Sequence, residues 1–257
     1  MKSDSLVFKT KHSLLSITRT STCLELRAVN DTLQSMINLE KPDRLELKNL
    51  RFLMGILLFS PTPQNVLLLG TGGGSLIHFL RFQYPQCRLT SVEIDSELQA
   101  LMHHRMLLPE ADEKLTYVID DAEHYLNHCQ QQFDLILVDI FSGSQSPGWL
   151  LDSPSIRQMH KLLDLRGAVG YNLIIDSEHA FKLFYRNLTR VFAGQALFLP
   201  VEGYDNTIAY GFRYRPTQRD MSYYRHHASN MAELHDIDYN EVLAAIYSTN
   251  PIGSGVI

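Results

Sequence analysis

The sequence predicts an α/β fold: a doubly wound, mostly parallel sheet that ends in an antiparallel hairpin, behind a small N-terminal antiparallel β-domain. Three observations point to it. The stretch NVLLLGTGGGSLIHFLRF, residues 65–82, is a five-residue apolar run, a cluster of glycines, then apolar residues at helical spacing. That is the order of a buried strand, a tight turn and a helix. Strand-like and helix-like segments then alternate, which implies parallel pairing through right-handed crossovers. Ahead of residue 41 the pattern differs, with short runs in which apolar and polar residues alternate, the mark of antiparallel strands.

In chain order, SLLSITRT and CLELRAV alternate apolar and polar residues and are separated only by Ser21 and Thr22; TLQSMINL continues the pattern after Asn30-Asp31. These form the β-domain, residues 1–41. Pro42 opens DRLELKNLRFLMGILLF, where Leu45, Leu47, Leu50, Leu53, Met54 and Leu57 cover one side of a single connecting helix within residues 42–64. SPTPQ breaks that helix. Residues 65–215 form the nucleoside-binding domain. Its strands fall at 65–69, 89–94, 115–119, 133–139 and 167–174, with helices near 74–83, 96–105, 121–129, 154–164 and 177–190. QALFLPV (195–201) and NTIAYGFRY (206–214) follow, joined by Glu202-Gly203-Tyr204-Asp205. So short a connection requires an antiparallel hairpin. That ending suits a methyltransferase-like Rossmann sheet, of the kind that binds S-adenosylmethionine, better than a nicotinamide dehydrogenase. Residues 216–257 are a helical tail with one candidate helix, MAELHDIDYNEVLAAIY.

At 257 residues, 45% apolar and 20% charged, the chain has ample material for a globular core. Its net charge of −5 gives no electrostatic reason to expect nucleic acid or an anionic membrane surface. Cys23, Cys87 and Cys129 are too widely spaced for a disulfide framework, which favours a reducing compartment. MKSDSLVFKTKHS lacks the apolar core of a signal peptide, and no run approaches the length that crosses a bilayer. The expectation is a cytoplasmic protein without a membrane partner. His124, His128 and Cys129 are spaced somewhat like metal ligands but lack a second ligand pair, so no metal is expected.

The chemistry is expected where strand ends converge on one edge of the sheet. Gly70, Gly72 and Gly74 let a ligand approach the backbone at a helix N-terminus, although Ser75 breaks the full dinucleotide fingerprint. Glu93 ends the second strand at the spacing, about 20 residues past the glycines, from which an acid accepts hydrogen bonds from ribose hydroxyls. Asp121-Ala122 opens a helix, where an acid either meets an adenine amino group or, like Asp120, serves as a helix N-cap. Asp139 ends an apolar strand and is either a turn residue or a group facing the ligand's reactive end. Residues 140–150 are a lid or an ordinary surface loop, and Trp149 lines an acceptor pocket or anchors the next helix.

VLLLGTGGGSL, SVEID, IDDAEHYL and DLILVDIFSGSQSP resemble, in order, the motifs of the spermidine synthase family of aminopropyltransferases. The likeness is strongest to a divergent bacterial branch with a Gly-Gly-Gly loop. It implies a transferase, a dimer, whose substrate is S-adenosylmethionine or its decarboxylated form. It further implies that Glu93 holds ribose, Asp121 and Ala122 the adenine edge, and Gly70, Gly72 and Gly74 the sulfur end of the nucleoside. Gln34 resembles a glutamine of the β-domain that helps close over the nucleoside. A sulfonium ligand brings its own electrophile, so the protein must orient the acceptor, exclude water and take a proton. Asp139 is the candidate base.

Three positions depart from the family pattern. Gly73 and Ser142 stand where spermidine synthases carry aspartates, and Asn49-Leu50 falls where a tyrosine is expected. Those groups hold a diamine, and a buried ammonium needs an opposite charge. The nucleoside half of the site is therefore expected intact and the amine half stripped. The acceptor stays unidentified, and methyl transfer or nucleoside binding without catalysis stand as alternatives.

Overall fold

The structure, a computed structural model, describes residues 4–28, 32–60, 62–105, 107–216, 221–250 and 256. Four strands, β1 (Asp4–Lys9), β2 (Leu14–Arg19), β3 (Cys23–Ala28) and β4 (Leu33–Asn38), pair antiparallel in chain order. Period-two alternation in β2 to β4 turns Leu15, Ile17, Leu24, Leu26, Ser35 and Ile37 to the buried face. The sequence pattern does not mark β1. Its apolar residues lie on both faces, and Leu6 and Val7 are exposed while Phe8 packs on the core, so no alternation betrays it.

The single helix expected across 43–59 is a correction. Leu45 and Leu47 are extended and buried, and Leu45 bridges Ile37 of β4. Helix α1 covers only Lys48–Leu53 and tightens into a 3₁₀ turn at Met54–Leu58. No side chain caps its start, and the β-domain offers Leu45 a strand partner that a helix would forgo.

The large sheet runs through β5 (Asn65–Leu69), α2 (Ser75–Gln83), β6 (Arg88–Glu93), α3 (Ser96–His104), β7 (Leu115–Ile119), α4 (Ala122–His128), β8 (Phe133–Val138), α5 (Ser153–Leu162), β9 (Leu163–Ile174), α6 (Glu178–Val191), β10 (Ala196–Pro200) and β11 (Asn206–Phe212). Its strand order is β10-β11-β9-β8-β5-β6-β7. All neighbours are parallel except β11, which is antiparallel to both β9 and β10. The hairpin thus closes back into the sheet, with β11 inserted between β9 and β10. Strand β5 has β6 on one side and β8 on the other, so the order of connection reverses there and a crevice opens at its carboxyl end.

Two apolar clusters cover the sheet's faces. One joins the β-domain, α1, α2 and the tail; the other packs under α4, α5 and α6. The β-domain is docked at polar points as well, Thr10 Oγ1 donating to Asp95 Oδ2 at 2.5 Å and the Lys11 amide to Glu97 at 2.8 Å. The tail is two helices where one was expected, α7 (Met221–His235) and α8 (Tyr239–Thr249). Asp236 takes a positive φ of 53° and Asp238 caps α8 by accepting from the amides of Asn240 and Glu241. The left-handed turn at Asp236 closes one helix, and the Asp238 cap opens the next. Among the described residues no helix is long and apolar enough to cross a membrane.

Candidate active site

The turn after β5 is shaped by what crowds it. A Cβ at Gly70, whose φ is +94°, would collide with the Asp139 carbonyl oxygen, because the ends of β5 and β8 approach closely there. A Cβ at Gly74 would collide with Leu108. These two glycines make the turn possible. Gly72 differs: its φ is +49° and nothing lies within 4 Å of the Cβ position, so this is where a ligand can approach the main chain.

Glu93 is held by backbone. Its Oε2 accepts from the amides of Thr71 at 3.0 Å and Gly72 at 3.3 Å, and its Oε1 from that of Asp95 at 3.0 Å. A carboxylate has about four acceptor positions, which leaves one for a ligand hydroxyl; gripping two ribose hydroxyls requires release of a loop amide. Strand β7 ends beside it, Ile119 pairing with Glu93. Asp121 is the N-cap of α4, its Oδ1 accepting from the amides of Glu123 at 2.9 Å and His124 at 3.1 Å. The cap is therefore made, and the side chain is also exposed at the crevice edge. Ala122 is buried behind it. Ile94 and Ile119, 43% and 50% exposed, sit at adjacent strand tips and offer apolar surface to a flat ring. Sequence reasoning passed over both; the available signal was an apolar residue next to each strand-end acid.

Asp139 follows β8, on the other side of β5 from Glu93. Its amide donates to Leu69 O at 2.9 Å, and its Oδ1 accepts from Asn172 Nδ2 at 2.8 Å. Asn172 Oδ1 in turn accepts from Asn206 Nδ2 at 2.8 Å, and both asparagines are buried. Desolvation pushes the Asp139 carboxyl up to about 6, against the lowering effect of the Asn172 hydrogen bond. Neither asparagine was singled out from sequence, although each is a lone amide in an apolar strand.

Asn206 opens onto a cavity of about 520 Å³. Gln34 on β4, Asn49 on α1, Phe141 and Ser144 beyond β8, and Tyr204 and Asp205 in the β10–β11 turn contribute to its wall. Among the described lining residues Asp205 is the one carboxylate, and none is basic. Asn49 is 9% exposed, and its Oδ1 has no hydrogen-bond partner. Gly73 abuts this region from the glycine turn. A Cβ there would strike Ser35 Oγ of β4; Ser35 Oγ lies 3.2 Å from Ser75 Oγ, which donates to Met36 O at 3.1 Å. The β-domain thus fills the space into which an aspartate at position 73 would project.

The segment after β8 is tied down. Ser142 and Gln145 form an antiparallel bridge, the Ser146 amide donates to Ile174 O at 3.0 Å, and Ser146 Oγ accepts from the Ile174 amide at 3.0 Å. Trp149 packs against the cluster under α5 and is not part of the cavity wall, which is the anchoring alternative. No group of three or more metal-ligating side chains forms among the described residues; His124 instead pairs with Asp120 at 2.9 Å.

Residues 51–171 match the spermine/spermidine synthase domain. A polyamine aminopropyltransferase from Neisseria meningitidis is 30% identical over 223 residues, 86% of this chain and 84% of that one. The chain belongs to the spermine/spermidine synthase family. Membership makes it a transferase on a methyltransferase-like fold. A probable spermidine synthase from Corynebacterium glutamicum has the same fold, with a TM-score of 0.75 at 19% identity, covering 96% of each chain. Human methyltransferase-like protein 13, in complex with SAH, gives 0.60 at 19% identity, covering 75% of this chain and 89% of that one.

Proposed function

We propose that the protein transfers an aminopropyl group from decarboxylated S-adenosylmethionine to an acceptor amine, at a site without the usual diamine-binding carboxylates. The observation that carries this reading is the place of Asp139, whose main chain packs on the glycine turn and whose carboxylate connects, through Asn172, to the cavity-lining Asn206. The name of the Neisseria relative supports the reaction class.

In this reading Glu93 and Asp121 hold the adenosine by its ribose and adenine edge, with Ile94 and Ile119 against the ring and Gly72 beside the sulfonium. Gln34, in the cavity wall, helps close the site over the nucleoside. The acceptor enters the cavity under β4. Its nitrogen lone pair forms a bond to the propyl carbon attached to sulfur. The carbon–sulfur bond breaks, the electron pair goes to sulfur, and methylthioadenosine leaves. The proton lost by nitrogen goes to Asp139, whose affinity for it, raised by burial to about 6, matches the work of a base near neutral pH. The second member of the family's acidic set is absent, Ser142 being an exposed serine. The protein acts in the cytoplasm as a dimer.

Incubating the protein with decarboxylated S-adenosylmethionine and a panel of amines tests this, with methylthioadenosine release as the signal. Release that depends on the amine supports aminopropyl transfer. S-adenosylhomocysteine formed from S-adenosylmethionine instead, with no methylthioadenosine, would replace it by methyl transfer.

A further inference from the structure

We propose that the cavity selects an acceptor with a single positive charge, carried on an apolar body with a neutral hydrogen-bonding group at its far end, as in an amino alcohol, over a diamine. This rests on the aminopropyl transfer proposed above and concerns the same site.

The neutral polar groups of the cavity wall are the amides of Gln34, Asn49 and Asn206 and the hydroxyls of Thr32, Ser144 and Tyr204. Asn49 is a wall residue whose Oδ1 is closed off by protein atoms and unpartnered, so its side chain brings a neutral amide and no charge to the cavity. Asn206 gives its Nδ2 to Asn172, and that direction is set by the carboxylate of Asp139, which can only accept while ionised. No described residue donates to Asn206 Oδ1. The wall thus meets a ligand with neutral amides and hydroxyls. Neutral acceptors satisfy a hydroxyl fully, but they do not compensate a buried ammonium.

Charge compensation is available once. Asp139, bonded to Asn172, serves the reacting amine. Asp205 is exposed in its turn, where solvent screens it and an ion pair contributes little. The remaining position for a carboxylate, at Gly73, is filled by Ser35. Leu47 and Phe141 add apolar surface to the wall, and about 520 Å³ lies within the range of small-molecule sites. A dication entering here would leave one ammonium without an opposite charge.

The test is calorimetric titration of the full-length protein, saturated with methylthioadenosine, with 4-amino-1-butanol and with 1,4-diaminobutane. The amino alcohol is expected to bind at least tenfold more tightly. Asn49→Asp, nearly isosteric, supplies the missing charge and is expected to shift that ratio tenfold or more toward the diamine. Asn49→Leu should weaken the amino alcohol about tenfold and leave methylthioadenosine affinity unchanged. Equal or tighter binding of the diamine by the unaltered protein overturns the proposal, as does failure of the amino alcohol to bind or an unchanged ratio in folded Asn49→Asp protein. The unaltered protein's ratio decides the matter even where a variant does not fold. Selective binding of the amino alcohol with no methylthioadenosine formed from any amine would sink the aminopropyl-transfer reading and leave the cavity's charge preference standing.

Discussion

The two halves of the crevice are held by different kinds of partner. In the half proposed for the nucleoside, the principal acids are engaged by main-chain amides: Glu93 by those of Thr71, Gly72 and Asp95, Asp95 by that of Leu98 beside the Thr10 hydroxyl, and Asp121 by those of Glu123 and His124. In the half proposed for the acceptor, side chains mostly meet side chains, Asp139 to Asn172 to Asn206, with Ser35 against Ser75 and Asn49 Oδ1 unpaired. Main-chain donors come with the fold and survive substitution of their own side chains. Side-chain partners change one at a time. The first half is therefore anchored to the fold, and the second is open to drift in what it accepts.

The largest effect expected from that contrast is at Asp139. Asp139→Asn should lower kcat by about 10² to 10⁴, the usual contribution of a general base, while methylthioadenosine affinity stays within about twofold. In the unaltered protein kcat should climb as pH rises through about 6 and level off above it, since only the ionised carboxyl takes a proton. Stability runs the other way. The folded pKa lies above the ordinary 3.8, so the stabilising contribution of the protonated carboxyl is full below that value and is lost as pH rises through about 6. Thermal melting should show Asp139→Asn gaining on the unaltered protein across that interval. A variant that keeps its rate would remove Asp139 from the chemistry and blur the two halves into one.

Next in size is Glu93→Ala. It deprives two loop amides of their acceptor and the ligand of its ribose contact, so methylthioadenosine affinity should fall about 100-fold, or about 3 kcal/mol. Calorimetry would show it, and an unchanged affinity would mean that the carboxylate serves the loop alone. Gly73→Asp sharpens the comparison from the other side. Its Cβ would strike Ser35, so the variant should lose about 1–3 kcal/mol in denaturant unfolding without gaining use of diamines. Adding Ser35→Gly should recover part of the loss. Full stability in Gly73→Asp alone would show the space to be open after all. The smallest effect belongs to Asp121→Ala, about 1 kcal/mol of stability through loss of the α4 cap. A drop in nucleoside affinity larger than the drop in stability would place Asp121 on the ligand as well as on the helix.

Much of the fold is legible in single segments. NVLLL followed by glycines and helical spacing identifies β5, its turn and α2; LTYVI coincides with β7; and the short link Glu202 to Asp205 demands the β10–β11 pairing that is found. The misses have local causes. DSLVFK lacks the alternation that would mark β1. The leucines at 45 and 47 fit a helix and a strand equally well, and only Ile37 across the way decides. The tail's apolar pattern runs through Asp236 without interruption, yet the backbone turns there.

The site divides along the same line. That an acid at the end of β6 and another at the start of α4 share one edge follows from the parallel order, and so was determined by sequence alone. Strand ends of a parallel sheet converge wherever the strands form, whatever their side chains touch. That Ser35 fills the place of a carboxylate, that Asn172 and Asn206 relay Asp139 to a cavity, and that Asn49 is left unpaired were decided only by the tertiary structure. The first two join residues dozens of positions apart, and all three depend on how the β-domain and the β11 insertion pack. No local pattern in the chain records that packing.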